Sequence, residues 1–371
     1  MNQRRFERAA LGAPAVPPGR VTVAANALRR WLAGGHRRSA PPPVQILESL
    51  FAAFDTPVLG AIVALDLPDL LDKPRSVGEL ADRTGSDPDR LERVLRYAAG
   101  RGFVSFTRSG LVKANGVTTA LRSEAEAPWR AWVQFMSSPW LTATWPRFGA
   151  SLATGQPAAF ELAHETDYFT YLTANPDAGA IFDEAMAAGA MLQAIGLART
   201  LDWDEVQSVC DVGGGTGATL EVLLRYHPHL EVTLFDLPSV TARARFAETA
   251  GPPARTITSG SFFDEVPAGC DRYLLLAIVH DWDDDRATAL LRVVAAALPE
   301  SGRIVVVENV ACENPRDDFA SASDLLMLAL ASGRERTAKQ YEALFYAAGL
   351  KIDRASTLPT GATAVELVRA D

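Results

Sequence analysis

The chain has 371 residues, 48% of them hydrophobic and 22% charged, with a formal net charge of −9. That length allows about two or three domains with a large core, the composition is that of a globular protein, and the acidity argues against nucleic acid as the main partner, because phosphate binding needs a basic surface. Cys210, Cys270 and Cys312 are scattered, with neither metal spacing nor a disulfide framework, and no apolar run approaches the roughly 18 residues of a membrane span, so a cytoplasmic protein with no membrane partner is expected.

Charge is unevenly spread. Residues 1–40 hold eight arginines against one acid, Glu7, a balance of +7, so the rest carries −16 of the total −9. Val21, Ala25, Leu28 and Leu32 have the spacing of one face of a short helix. The segment reads as a basic, partly ordered extension, with a partner-packing helix or a targeting segment as alternatives. Pro41-Pro42-Pro43 closes it.

Residues 41–125 read as a unit of their own. Ile46, Leu47, Leu50, Phe54, Val58, Ile62 and Leu65 recur at helical spacing from 44 to 71. Residues 76–113 then have the order of a winged helix. Ser76 and Glu79 form a capping-box pattern, and Gly85 stops that helix. Asp87 caps a second helix with Pro88 at its first position. Phe103–Phe106 and Leu111–Lys113, split by Ser109-Gly110, read as a hairpin. Arg90, Arg93, Arg96 and Arg101 would suit a DNA-reading helix. The acidic remainder favours instead a module that packs against another subunit.

Residues 126–200 read as helical and aromatic-rich. Trp129, Trp132, Phe135, Trp140, Trp145, Phe160, Tyr168, Phe169, Phe182, Met186 and Met191 recur there. Such residues are usually core, and as a group they can also wall a pocket for a flat apolar molecule.

From 201 to 371 strands and helices alternate. Strands are predicted at 206–212, 231–236, 255–258, 271–278, 303–309, 350–355 and 363–368. Helices are predicted at 217–226, 239–248, 284–297, 319–331 and 338–348. This is the pattern of an α/β, doubly wound sheet, in which ligands sit at the carboxyl ends of the strands.

The residues at those ends are the informative ones. Asp211-Val212-Gly213-Gly214-Gly215-Thr216-Gly217 is a strand turning sharply into a helix, with glycines that admit a ligand to the backbone. Gly213, Gly215 and Ala218 also satisfy a dinucleotide pattern, and Asp236 is placed for ribose hydroxyls in either reading. Asp211 separates the two. A carboxylate at that mouth repels a pyrophosphate but suits an amino group and a sulfonium, the charges of S-adenosylmethionine (SAM).

The apolar strand before His280-Asp281-Trp282 delivers an imidazole to the ligand crevice. A phenol ionises near pH 10, so a positioned base is needed to take its proton at neutral pH. The alternative is a helix-entry histidine bonded to backbone. Asp283, Asp284 and Asp285 suit the N-terminus of the following helix better than a metal, and no metal site is expected. Glu308 ends an apolar strand, and Glu335 lies between two helices. Either carboxylate can orient the imidazole or form a surface salt bridge.

From about Val44 to the C-terminus these pieces, in this order, resemble the small-molecule O-methyltransferases of the plant caffeate and bacterial polyketide type. The residues that carry the resemblance are the winged-helix module, the 211–217 loop, His280-Asp281-Trp282, Glu308 and Glu335-Arg336-Thr337, with Pro157, Phe160, His164 and the Phe182–Met186 stretch. The resemblance implies a Rossmann-like class I methyltransferase domain behind a mainly helical, winged-helix dimerisation domain. It implies SAM as cofactor, a small aromatic acceptor and a homodimer. His280 would be the general base, flanked by Glu308 and Glu335. Cofactor contacts would fall at Asp211, Gly213, Gly215, Asp236, Leu237, Ser261 and Phe262, and substrate contacts at Trp140, Phe182, Met186, Asp281 and Met327.

Two positions depart from the family pattern. Ser261 stands where an aspartate usually follows the third strand, and Leu276 stands where plant members carry a lysine. Relatives that bind SAM for hydroxylation or decarboxylation, and a SAM-bound winged-helix regulator, are the competing readings.

Overall fold

In a computed structural model of the chain, the described residues are 19–125, 129–153, 155–245, 247–249, 251–314, 319–331 and 333–370. They fall into two compact units, one built on 31–142 and the other on 143–370 together with 19–30. Helix α1 spans Gly19–Ser39. Residues 1–18 of the basic leader, and the side chain of Val21, lie outside what is described.

The first unit contains α2 (Pro42–Ala52), α3 (Asp55–Ala64), α4 (Leu67–Leu70), α5 (Val77–Thr84), α6 (Pro88–Gly100), β1 (Ser105–Phe106), β2 (Val112–Lys113), α7 (Gly116–Ala120), α8 (Trp129–Met136) and α9 (Pro139–Thr142). Ile62, Leu67, Leu80, Leu91, Leu95 and Val112 form its core. Asp87 caps α6 by accepting from the Arg90 N–H at 2.9 Å. At α5 only half of the expected capping box is made. Ser76 accepts from the Glu79 N–H, but the Glu79 carboxylate turns to the Arg75 guanidinium, a charged partner that outcompetes a backbone N–H.

The 44–71 stretch is three helices rather than one, because the chain turns after Ala52 and Asp66 adopts a left-handed φ of 53°. The expectation that no segment approaches a membrane span also needs correction. Pro42–Ala64 and Pro176–Thr200 are long and apolar enough by composition. The first is mostly exposed in the single chain, with Ile46, Leu50, Phe51 and Phe54 all more than half exposed.

The second unit opens with α10 (Phe148–Ser151), α11 (Ala159–His164), α12 (Tyr168–Ala174) and α13 (Pro176–Thr200). Then β3 (Ser208–Val212), α14 (Ala218–Tyr226), β4 (Glu231–Asp236), α15 (Pro238–Thr241), β5 (Arg255–Ser259), β6 (Arg272–Leu276), α16 (Asp284–Ala297), β7 (Arg303–Glu308), α17 (Phe319–Leu330), α18 (Ala338–Ala347), β8 (Leu350–Thr357) and β9 (Thr363–Arg369) alternate. The seven strands run β5-β4-β3-β6-β7-β9-β8, parallel from β5 to β7, with β9 antiparallel to both neighbours.

Period-two alternation explains the layers. Cys210, Val212, Tyr273, Leu275, Ile304 and Val306 point to one face, against α16 and α18. Val209, Leu234, Leu274, Val305 and Val307 point to the other, against α13 and α14. The strand order reverses between the parallel strands β3 and β6, so the connections leaving them run to opposite sides of the sheet and open a crevice at their carboxyl ends.

Two predicted elements end early. The helix expected at 239–248 stops at Thr241 because the Arg245 N–H bonds instead to the Thr216 carbonyl, 3.0 Å away on the glycine loop. The strand expected to reach 278 stops at Leu276. Ala277 takes a left-handed φ of 53°, which bends the chain into the turn that carries His280. An L-residue there costs about 1–2 kcal/mol, and a β-branched one more. Ala277→Val is therefore expected to lower unfolding stability by about 1 kcal/mol or more, whereas Ala277→Gly is tolerated. Equal thermal midpoints for the two variants would contradict this.

Candidate active site

The first wall of the crevice is the loop after β3. Gly213 has φ 72°, a backbone that favours glycine, and a β-carbon there would also meet the Ile278 side chain, 2.6 Å from Cδ1. Asp211 is 1% exposed, and its Oδ2 is buried without a hydrogen-bond partner among the described residues. Burial, aided by the nearby Asp236 charge, pushes its carboxyl up to about 7. An orphaned, buried carboxylate is the complement of a cationic ligand.

Asp236, at the end of β4, accepts from the Gly215 N–H at 2.8 Å and from the Leu237 N–H at 2.7 Å. Burial raises its carboxyl to about 6, against the pull of those two bonds. Each oxygen keeps a lone pair free for a hydroxyl. Leu237 is exposed and follows directly. Ser261 spends its Oγ lone pair on the Phe263 N–H, 3.2 Å away, and retains its O–H as a donor. Phe262 is half-buried, edge-on to Phe263 at 5.0 Å and to Trp282 at 6.0 Å. This set fits a SAM-like molecule, with a carboxylate for the cationic end, a carboxylate for diol hydroxyls and an aromatic face for the base.

The second wall is the short 3-10 turn Val279–Asp281 after β6. His280 is 8% exposed. Its Nδ1 lies 2.9 Å from Glu335 Oε1 and 3.4 Å from Glu308 Oε2, and its Nε2 lies 3.5 Å from Asp281 Oδ1. The two glutamates differ in what they hold. Glu335 bonds the ring directly. Glu308 Oε1 accepts the backbone N–H groups of Val279 and His280, at 2.9 and 3.3 Å, and so fixes the turn itself. Burial alone would lower the imidazole pKa, but the charges of Glu308, Asp281 and Glu335 outweigh it and push it up to about 10. Burial pushes Glu308 up to about 7 and Asp281 up to about 6. With Nδ1 engaged, Nε2 is the nitrogen left to exchange a proton.

The ligand atoms of His280, Glu308 and Glu335 all lie within 4.8 Å of one another, a set that can hold a metal. The 2.9 Å separation of Nδ1 and Glu335 is nonetheless that of a hydrogen bond. Two ligands on a tetrahedral zinc stand about 3.4 Å apart. Of the aspartate run, Asp283 caps α16 through the Arg286 N–H, 2.8 Å away, and Asp284 accepts from Arg336 Nε at 2.8 Å.

The remaining expected residues are distributed unevenly. Phe182 and Met186 lie one turn apart on α13, half-buried, and Phe182 is edge-on to Tyr168 at 5.6 Å. Phe169 stacks on Trp282 at 5.3 Å. Met327 is half-buried on α17, one turn beyond Asp324. Trp140 lies on α9 in the first unit, 5.7 Å from Phe135. In that unit Arg96 is paired with Glu92 and Arg101 with Asp55, which breaks up the basic stripe that a DNA-reading helix would need.

Sequence reasoning missed several supporting residues. Asp324 Oδ1 accepts from the Glu335 N–H at 2.8 Å; an acid inside the apolar stretch 319–330 was the available signal. Arg243 pairs with the buried Asp183 at 2.7 Å and ties α13 to the loop after α15. No local pattern announces a pair 60 residues apart.

Residues 145–351 match the O-methyltransferase domain family, and residues 47–120 match the O-methyltransferase dimerisation domain. Over 89% of its length the chain is 33% identical to a phenazine O-methyltransferase of Lysobacter antibioticus, covering 98% of that protein. The crystal structure of LaPhzM superposes with a TM-score of 0.82 at 32% identity, over 89% of this chain and 100% of that one. NcsB1, an O-methyltransferase from neocarzinostatin biosynthesis solved with SAM and 2-hydroxy-5-methyl naphthoic acid, superposes with a TM-score of 0.72 at 30% identity, over 85% of this chain and 96% of that one. The chain thus belongs to the SAM-dependent O-methyltransferase family, with a class I methyltransferase domain behind an O-methyltransferase dimerisation domain.

Proposed function

We propose that the protein methylates a hydroxyl, of phenolic type, on a small aromatic molecule, with His280 as general base. The observation that carries this reading is a buried imidazole anchored through Nδ1 by Glu335, which leaves Nε2 as the exchangeable nitrogen. SAM supplies the methyl group on a cationic sulfur and leaves as S-adenosylhomocysteine. The chain's part is to bind, orient and deprotonate. Asp211 and Asp236 receive the cationic and diol ends of the cofactor, with Leu237, Ser261 and Phe262 around the nucleoside. Phe182, Met186, Met327 and Asp281 border the acceptor. Nε2 takes the hydroxyl proton as the oxygen attacks. Holding the reacting atoms in line supplies much of the acceleration, and the base adds about 10² to 10⁴.

The protein acts as a soluble cytoplasmic homodimer in this reading. Support comes from three free cysteines and from the exposed Leu47, Leu50, Phe51 and Phe54, which lie inside the dimerisation match. Sedimentation equilibrium checks the assembly. Calorimetric titration with S-adenosylhomocysteine, then a screen of phenols and anilines with methyl-labelled SAM, tests the activity. One-to-one binding with label transferred to a phenol is expected, and transfer to anilines alone would refute the acceptor class.

The Asp236 assignment has its own test. Asp236→Asn is expected to weaken S-adenosylhomocysteine binding by about 10- to 100-fold, the value of hydrogen bonds to a charged group. In the unsubstituted protein, affinity should fall as pH drops through about 7 and then about 6, where Asp211 and Asp236 take up their protons, and the lower step should be missing in Asp236→Asn. Unchanged affinity in both experiments would remove Asp236 from the cofactor site.

A further inference from the structure

The backbone of the turn that carries His280 is gripped from outside by a second segment. The His280 carbonyl accepts from the Arg334 N–H at 2.8 Å. Arg336, with no exposed surface, donates from Nη1 to the Val279 carbonyl at 3.1 Å and from Nη2 to the Trp282 carbonyl at 2.8 Å. Its Nε bonds Asp284 at 2.8 Å. One guanidinium therefore holds the first residue of the turn, the residue just past its end and the start of α16. Gly333 lets the segment come this close. A β-carbon there would overlap the His280 carbonyl oxygen and sit 2.7 Å from the Asp281 carbonyl carbon.

We infer that Gly333 and Arg336 clamp the turn and that Arg336 is a positioning residue for His280, setting the ring against Glu335. This rests on His280 being the base. Stability alone is a weak reason for the arrangement, since a fully buried guanidinium is costly to desolvate and its one carboxylate partner, Asp284, is exposed. The specific need is for a flat fork that serves two carbonyls and a carboxylate at once, which lysine cannot reproduce. Glu335 itself is the residue between Arg334 and Arg336, so any slackening of the clamp shifts the segment carrying Glu335 relative to the turn carrying His280.

The test compares Arg336→Met, Arg336→Lys and Gly333→Ala with the unsubstituted protein and with His280→Ala, all as the full chain. Both Arg336 variants are expected to lose about 10- to 100-fold in kcat, the effect of a misplacement on the order of 1 Å, with S-adenosylhomocysteine affinity unchanged. The acid limb of their kcat–pH profile is expected to move, and added guanidinium to restore part of the rate in Arg336→Met. Gly333→Ala is expected to show the same signature without a change of charge, and it decides the matter should the Arg336 variants fail to fold. Wild-type kcat and pH profile in a folded Arg336→Lys or Gly333→Ala would overturn the clamp. Near wild-type kcat in His280→Ala would instead overturn the assignment of the base.

Discussion

Replacing His280 by alanine is expected to lower kcat by about 10²- to 10⁴-fold, the contribution of a positioned general base. S-adenosylhomocysteine affinity should stay within about threefold, a shift of roughly 0.65 kcal/mol. The separation follows from the topology. His280 emerges from β6, while the carboxylates proposed for the cofactor, Asp211 and Asp236, emerge from β3 and β4. A phenol holds its proton up to about pH 10, so near neutrality the variant would depend on the small fraction of acceptor already ionised. Its rate should accordingly climb with pH toward the acceptor's own pKa. A variant with near wild-type turnover at pH 7, or one that no longer binds S-adenosylhomocysteine, would remove His280 from the role of base.

Much of this site was legible because its signals are local. A glycine cluster after an apolar strand, an aspartate ending the next strand and a histidine among few others each mark a strand's carboxyl end, where a doubly wound sheet puts its ligand. What could not be read were pairings across long stretches of sequence. Glu308 looked like a companion of Glu335, yet its first oxygen holds backbone N–H groups of the turn, a role no spacing betrays. Ala277 gave no hint of its left-handed backbone, since the apolar run continues unbroken through Val279. Helical spacing likewise persists through 239–248, but the Thr216 carbonyl offers the Arg245 N–H a partner from outside. The apolar 42–64 stretch shows the converse. Its exposed face is unexplained within one chain and becomes reasonable once residues 47–120 are known to match a dimerisation domain.

Glu335→Gln is expected to lower kcat by about 10²- to 10³-fold and to move the acid limb of activity to lower pH. In a serine-protease triad the corresponding amide substitution costs about 10⁴ through the wrong tautomer; here Glu308, 3.4 Å from the same nitrogen, remains as a second carboxylate. A glutamine that turns its NH₂ toward Nδ1 moves the proton to Nε2 and disables the base. One that turns its oxygen there keeps the tautomer but loses the charge. The sign of the pH effect follows from the wild-type balance, in which neighbouring carboxylates overcome burial and push the imidazole up to about 10. Because a base must be neutral, kcat/KM of the unsubstituted enzyme should rise with pH toward that value. The cationic cofactor, once bound, disfavours the imidazolium and should place the acid limb of kcat lower than that of kcat/KM. Removing the Glu335 charge lowers the imidazole pKa further, so both limbs shift down. Stability gives a second readout. A pKa raised in the folded state stabilises fully below the unfolded value of 6.5 and loses that contribution as pH climbs to about 10, so the alkaline fall in thermal midpoint should be shallower in Glu335→Gln. Superimposable pH–rate and pH–stability curves for the two proteins would mean that Glu335 fills space beside His280 without tuning it.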